Sequence, residues 1–199
     1  MKIRLILTVG CFVGAVAGTS TFFGEDDCPE LVFQESAGTA NGVDFVVWRI
    51  NCPWVRGKTT RYRDIKIYPG DQVAIKADGG VQTGGQGKTW KLYVKPRGDN
   101  TDRFYHGLIH IPKGSTPSFT TSPTVKEPDL NMVRIQDVMD KGGKFTVPND
   151  LPNPFLLVLG YEDDIYTDNG YFNHDDGTED QCKNVGPATI SITISHKAR

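Results

Sequence analysis

The chain has 199 residues, with 22 Lys and Arg, 24 Asp and Glu, and a formal net charge of -2. This length suffices for one well-packed domain and is short for two. The nearly balanced charge indicates no general affinity for nucleic acid or for an anionic membrane surface, so we expect neither a nucleic-acid partner nor membrane insertion.

Residues 1–18 have the pattern of a signal peptide. Lys2 and Arg4 precede an apolar run, and the small residues at 15–17 suit cleavage by a signal peptidase. The run is shorter than the roughly 20 apolar residues that a membrane span needs. We therefore expect an exported protein, either secreted or periplasmic.

Removal of that segment would leave three cysteines, Cys28, Cys52 and Cys182. In an oxidising compartment three cysteines can form one disulfide, and the sequence leaves all three pairings open. No CxxC motif and no Cys/His spacing indicates a zinc site. A structural disulfide is expected.

Short runs of β-branched and aromatic residues recur between turn residues, and no convincing amphipathic helix is found. The predicted strands are two within 31–54, then 61–68, 72–77, 90–95, 105–111, 132–138, 144–147, 155–159 and 188–195. Residues 112–128, rich in Ser, Thr, Pro and Lys, are predicted to be a long surface connection. Together these features predict a single all-β domain, a β-sandwich of jelly-roll type.

A glycine-rich loop follows the strand at 72–77. Residues 78–87 contain five glycines but neither a GxGxxG motif nor a terminal Gly-Lys-Ser/Thr, so a nucleotide role is not expected. Glycines at this density instead allow a backbone carbonyl to approach a ligand closely.

An acidic loop follows the apolar strand at 155–159. No Lys or Arg occurs between Tyr161 and Asp180, so the carboxylates would repel one another unless a cation or solvent offset their charge. Oxygen ligands without cysteine favour calcium over zinc or copper, and the pattern is not that of an EF-hand. A solvated surface loop remains the alternative. The acidic residues are Glu162, Asp163, Asp164, Asp168, Asp175 and Asp176.

Three stretches between residues 61 and 195 resemble the PA-I galactophilic lectin family of calcium-dependent β-sandwich lectins. The first joins 68–75 to the glycine-rich loop, the second runs from Trp90 to Ile109, and the third leads from Val147 through 155–161 to Asp168 and Asn169. The resemblance implies a galactose-binding-domain-like sandwich at 61–199. Residues 19–60 would then be an N-terminal extension whose strands join it.

The resemblance implies that a bound calcium ion contacts a galactose-type sugar directly. Asp163 matches the acidic ligand of the family, Asp168 and Asn169 match its amide pair, and Tyr166 and Thr83 would contribute backbone carbonyls. The implied metal ligands are thus Thr83, Asp163, Tyr166, Asp168 and Asn169.

The sugar itself would be contacted by further residues. His106 matches a family amide that binds the hydroxymethyl oxygen, Arg103 lies near the position of a family histidine, and Asp164 is a further carboxylate that can accept sugar hydroxyls. Tyr105, with Phe104, Tyr166 and Tyr171, is a candidate for stacking on a sugar ring.

The sequence departs from the family at several positions. Asp168 replaces an amide, and Glu162 and Asp164 add acidic side chains that should tighten metal binding. Asp175 and Asp176 allow a second alignment of the ligand motif, although the shorter separation between Asp163 and Asp168 favours the first.

The function expected from the sequence is therefore that of a secreted calcium-dependent lectin without enzymatic activity, possessing a glycan partner and able to form a homo-oligomer. One alternative is a calcium-stabilised adhesion or protein-interaction module. Another is a glycoside hydrolase using two of the carboxyl groups, although these cluster in one loop rather than face each other across a cleft.

Overall fold

The computed structural model describes residues 28–84, 89–171 and 182–197, and the predicted signal peptide lies outside this part. Its elements in chain order are β1 (Leu31–Ala40), β2 (Val43–Asn51), β3 (Thr59–Ile67), β4 (Gln72–Asp78), β5 (Gly80–Gln82), β6 (Trp90–Leu92), β7 (Gly107–His110), β8 (Met132–Arg134), α1 (Ile135–Asp140), β9 (Lys144–Thr146), β10 (Phe155–Tyr161), a 3₁₀ turn (Tyr166–Asp168) and β11 (Thr189–Lys197).

The strands form two main antiparallel sheets that enclose one core. The larger sheet has the order β1-β2-β11-β4-β9 and the smaller has the order β3-β10-β7-β8, while β5 and β6 form a separate pair. Buried side chains of both sheets belong to one apolar cluster. The predicted all-β sandwich is thus confirmed, whereas its jelly-roll type stays a prediction.

The alternating sequences of β4 and β11 place one face of each strand in this core. Ile190, Ile192 and Ile194 are fully buried, and Ile192 is paired with Ile75 of β4. Because successive side chains of a strand point to opposite faces, the intervening Ser and Thr lie on the outer face. Strand β11 also pairs with β2 along its whole length.

Strand β10 is covered on both faces, which explains its uninterrupted apolar sequence. Leu157 and Leu159 face the main core. Val158 belongs to a second cluster on the other face, together with Leu108 and Met132. Val125 completes that cluster, so the segment at 112–128 covers the outer face of the smaller sheet rather than merely connecting strands.

The strand predicted at 132–138 is wrong beyond Arg134, because residues 135–140 form helix α1. Ile135 and Val138 are the buried residues of this helix, and their separation of three is a helical spacing. A helix of six residues is too short to give a periodic signal.

The N-terminal region is joined to the larger sheet and is closed by a disulfide. Strand β2 pairs with both β1 and β11, and Cys28 is bonded to Cys52. Cys182 is buried and lies outside this disulfide. In the described part of the chain, no helix is long and apolar enough to cross a membrane.

Candidate functional site

The glycine-rich loop and the acidic loop meet at one end of the sandwich. Gln82 and Gly170 form an antiparallel bridge, in which the backbone N–H of each donates to the carbonyl of the other at 3.0 and 3.1 Å. Antiparallel register then places Thr83 beside Asn169. Two segments that are nearly 90 residues apart in sequence thereby contribute to one site.

Asp163 lies two residues after the end of β10 and is 7% exposed. Its Oδ1 accepts hydrogen bonds from the backbone N–H groups of Asp164 at 2.7 Å and Ile165 at 3.3 Å. Its Oδ2 is buried and has no hydrogen-bond partner within the described residues. Burial, reinforced by the neighbouring Asp164 side chain, raises the pKa of Asp163 to about 7.

Asn169 is fully buried, and only one of the two polar atoms of its amide has a hydrogen-bond partner within the described residues. The Nδ2 group donates to the Val55 carbonyl at 3.0 Å, which fixes the orientation of the amide. Its Oδ1 has no hydrogen-bond partner in the part of the chain that the structure describes, and the same holds for Oδ1 of Asp168.

Among the described residues, Asp163, Asp168 and Asn169 thus each have one side-chain oxygen without a hydrogen-bond donor. An unsatisfied buried acceptor costs about 1–3 kcal/mol, so a bound water or cation that contacts these oxygens would stabilise the loop. Carboxylate, amide and carbonyl oxygens are the ligands that calcium prefers. The donor set thus fits a hard divalent cation.

This ligand set contains only two acidic side chains. Within residues 28–84, 89–171 and 182–197, no group of three or more His, Cys, Asp or Glu side chains is arranged to hold a metal. Any cation bound here would consequently depend on amide and backbone oxygens as well as on Asp163 and Asp168. Asp175 and Asp176, which gave the second alignment, lie outside the described residues.

The Tyr166 side chain ties the acidic loop to the end of β10. Its hydroxyl donates to the Tyr161 carbonyl at 3.1 Å, and the N–H of Asp163 donates to the same hydroxyl at 3.4 Å. The 3₁₀ turn that Tyr166 begins also contains Asp168. The 3₁₀ turn is thus tied to the segment that contains Asp163.

Glu162 has a structural role rather than the metal-binding role suggested by its place in the acidic run. Its side chain is fully buried and accepts hydrogen bonds from Ser122, from Thr124 Oγ1 at 2.9 Å and from Arg134 Nε at 2.8 Å. Burial alone would raise the pKa of Glu162, but contact with His106, the hydroxyl donors and the charge of Arg134 outweigh it and hold this pKa below its ordinary value.

His106 belongs to the same buried group. Its Nδ1 lies 3.1 Å from Oε2 of Glu162, and only 5% of its side chain is exposed. The backbone of Glu162 is hydrogen-bonded to His106 and to Tyr105. Both residues therefore lie beside the segment that leads from β10 to Asp163. The predicted sugar contact of His106 stays a prediction.

The other predicted sugar-binding residues are two exposed side chains and one half-buried tyrosine. Arg103 and Asp164 are exposed, and the Arg103 guanidinium lies 5.0 Å from the centre of the Phe104 ring. Tyr105 is half-buried, has a positive φ of 73° and stacks beneath Lys91 Nζ at 5.5 Å. Tyr171, by contrast, is buried.

Sequence reasoning missed the residues that support the acidic loop from the N-terminal region. Tyr171 donates its hydroxyl hydrogen to the Pro53 carbonyl at 2.8 Å, and Arg56 Nε donates to the Asn169 carbonyl at 3.0 Å. Gln82 was missed as well, although both polar atoms of its buried side chain lack partners among the described residues. Backbone carbonyl contacts leave no pattern in a sequence.

Comparisons with protein-family models, with curated proteins and with solved structures found no match to this chain. The lectin resemblance therefore rests on the short stretches quoted above.

Proposed function

We propose that the protein is a calcium-dependent carbohydrate-binding protein that recognises galactose-type glycans and does not act as an enzyme. The observation that carries this proposal is that buried oxygens of Asp163, Asp168 and Asn169 have no hydrogen-bond donor within residues 28–84, 89–171 and 182–197. The acidic loop would be rigid enough for such a site because Tyr166, Val55 and Arg56 hold its backbone and its amide in place.

Side chains and backbone carbonyls would both provide ligands to the calcium ion. Asp163, Asp168 and Asn169 would hold the ion through their side chains, and Thr83 and Tyr166 through backbone carbonyls. Calcium, when bound, supplies coordination positions that two vicinal sugar hydroxyls can fill.

Residues at the surface would complete the contacts to the sugar. The exposed carboxylate of Asp164 can accept hydrogen bonds from sugar hydroxyls, Arg103 can donate to them, and the Tyr105 ring offers an apolar face. His106 would act beside them by contacting the hydroxymethyl group.

An exported location belongs to the same proposal. The Cys28–Cys52 disulfide is a bond that forms and persists in oxidising compartments. A secreted or periplasmic lectin with one weak site per chain would gain avidity by forming a homo-oligomer on a glycan-bearing surface.

Isothermal calorimetry tests this function directly. We expect calcium to bind the metal-free protein, and galactose to release heat only when calcium is present. Asp163→Asn should abolish both signals, while Asp64→Asn, which changes an exposed carboxylate of β3, should leave both intact.

Three results would contradict the proposal. Calcium binding without a response to galactose, glucose or mannose would favour a calcium-stabilised interaction module. Absence of calcium binding would remove the basis of the proposal, and turnover of a glycoside would identify an enzyme instead.

A further inference from the structure

A groove of about 140 Å³ lies against the acidic loop on the side of the N-terminal region. Gly170 and Tyr171 form one wall, so the groove begins at the residue after Asn169. The opposite wall comes from residues that precede the part of the chain resembling the lectin family. Glu30, Trp54 and Arg56 are among the residues that line it.

Trp54 gives this groove an exposed aromatic surface. It is 44% exposed, whereas Trp48 is half-buried and Trp90 is 2% exposed. A Cβ atom at Gly57 would lie 3.1 Å from the Trp54 indole nitrogen, so the ring rests against the backbone there. A large apolar ring held at the surface in this way can stack on the C–H face of a sugar.

Two charged side chains, those of Glu30 and Arg56, line the groove together with Trp54. Glu30 Oε1 accepts hydrogen bonds from the backbone N–H of Trp54 at 3.0 Å and from the Tyr62 hydroxyl at 2.6 Å, so one carboxylate oxygen is fixed by both donors. Arg56 Nε is fixed on the Asn169 carbonyl at 3.0 Å. A carboxylate and a guanidinium beside an aromatic face are the groups that bind sugar hydroxyls.

The groove is also held rigid. Both cysteines of the Cys28–Cys52 disulfide line it, and the Tyr171 hydroxyl donates to the Pro53 carbonyl at 2.8 Å. Little conformational entropy would be lost when a ligand binds, which favours affinity.

We propose that this groove is a second saccharide subsite, in which Trp54 stacks on the sugar linked to the galactose unit at the calcium site. The ligand would then be a galactose-terminated oligosaccharide rather than a free monosaccharide. This inference rests on the proposed function, because it takes its first sugar from that site. The residues at the groove set the preference for the second sugar and for its linkage.

Calorimetry with calcium, using galactose, lactose and the α1-3-, α1-4- and α1-6-linked digalactosides, tests the subsite. We expect at least one disaccharide to bind about fivefold more tightly than galactose. Trp54→Ala should remove this gain and leave the affinities for galactose and calcium unchanged, whereas Trp54→Phe should retain most of it. Phe33→Ala, which removes an exposed aromatic ring of β1, is the matched control and should change nothing.

Fluorescence gives a second readout that does not depend on affinity. The preferred disaccharide should protect Trp54 from quenching by acrylamide, and galactose should not.

The two hypotheses fail in different ways. If galactose binds with calcium but every disaccharide binds within about twofold of it, or if Trp54→Ala weakens galactose equally, the subsite is overturned and the lectin stands. If no sugar binds in the presence of calcium, the proposed function is overturned, and the subsite with it.

Discussion

Asp163 and Glu162 are adjacent in sequence, yet the fold gives their carboxyl groups opposite environments. Glu162 faces hydroxyl donors, a guanidinium and an imidazole, whereas Asp163 keeps one oxygen without a donor in the described part of the chain. Since successive residues of an extended segment point to opposite sides, one acid can stabilise the fold while the other remains available for a cation.

The first prediction concerns the protonation of Asp163. In the folded, metal-free protein its raised pKa keeps the proton bound up to about pH 7, whereas the unfolded chain releases it near the ordinary value of 3.8. The contribution of this group to stability is therefore greatest at low pH and declines as pH rises from about 4 to about 7. We expect Asp163→Asn to be the more stable protein at about pH 8 and to lose that advantage toward about pH 4.

Urea unfolding with chelator at several pH values measures this difference. A wild-type protein whose stability relative to the variant does not depend on pH would contradict the prediction.

The second prediction concerns Glu162, which is buried and paired. Glu162→Ala would leave Arg134 and His106 without their carboxylate, and we expect a loss of about 3–5 kcal/mol in the free energy of unfolding. The matched control is Glu35→Ala, which removes an exposed ion pair with Arg49 and should cost less than about 1 kcal/mol. Equal losses in the two variants would show that the buried network stabilises the fold no more than an exposed ion pair does.

The pH dependence of this stabilisation has the opposite sign to that of Asp163. The folded-state pKa of Glu162 lies below its ordinary value of 4.5, so its stabilisation is fully present above that value and is lost as pH falls below it.

Among the elements, those with a two-residue period could be predicted from the sequence, and those held by tertiary contacts could not. The β4 and β11 sequences alternate because one face of each strand is buried. The β10 sequence is continuously apolar because both of its faces are buried. Helix α1 was missed because six residues are too few to show a helical period. The covering role of residues 112–128 was missed because Ser122 and Val125 belong to no periodic pattern.

Some residues of the candidate site could likewise be predicted from the sequence, and others could not. The acidic run and the resemblance pointed to Asp163, Asp168 and Asn169, but neither indicated that Glu162 would turn into the protein. Gln82 and the Val55 carbonyl could not be foreseen, since their place depends on how distant segments meet.

The third prediction concerns the disulfide that closes the N-terminal region. Cys28 and Cys52 are 24 residues apart, and loop-closure entropy for such a separation corresponds to about 3 kcal/mol of stability. We expect the double variant Cys28→Ser/Cys52→Ser to lose about this amount in denaturant unfolding. Its calcium affinity should also fall, because Pro53 and Val55 would hold Tyr171 and Asn169 less firmly.

A reducing agent provides the control for that variant. It should lower the stability of the wild-type protein by a similar amount and leave the double variant unchanged. A double variant as stable as the wild type would contradict the prediction.

At the scale of the whole molecule, the site joins both sheets. The acidic loop continues β10 of the smaller sheet, and Asn169 and Tyr171 are bonded to the segment that follows β2 of the larger sheet. A ligand that stabilises this loop should therefore stabilise the complete fold rather than one loop.

The fourth prediction follows from this arrangement. Calcium at about 100 times its dissociation constant should add about 2.7 kcal/mol to the free energy of unfolding. For a protein of this size the expected rise in Tm is roughly 5–10 °C, measured by scanning calorimetry. Chelator should reverse the rise, and Asp163→Asn should not show it. An identical Tm with calcium and with chelator would contradict the prediction.

The position of β11 between β2 and β4 also governs when this protein can fold. Strands β2 and β4 are synthesised early, but β11, the strand that pairs with both, is the last strand of their sheet to be synthesised. On the ribosome the larger sheet cannot be completed until residue 197 has emerged, and closing such long-range pairings is slow. The larger sheet of a nascent chain would thus stay incomplete until synthesis has passed β11, although its β1-β2 hairpin contains only early residues.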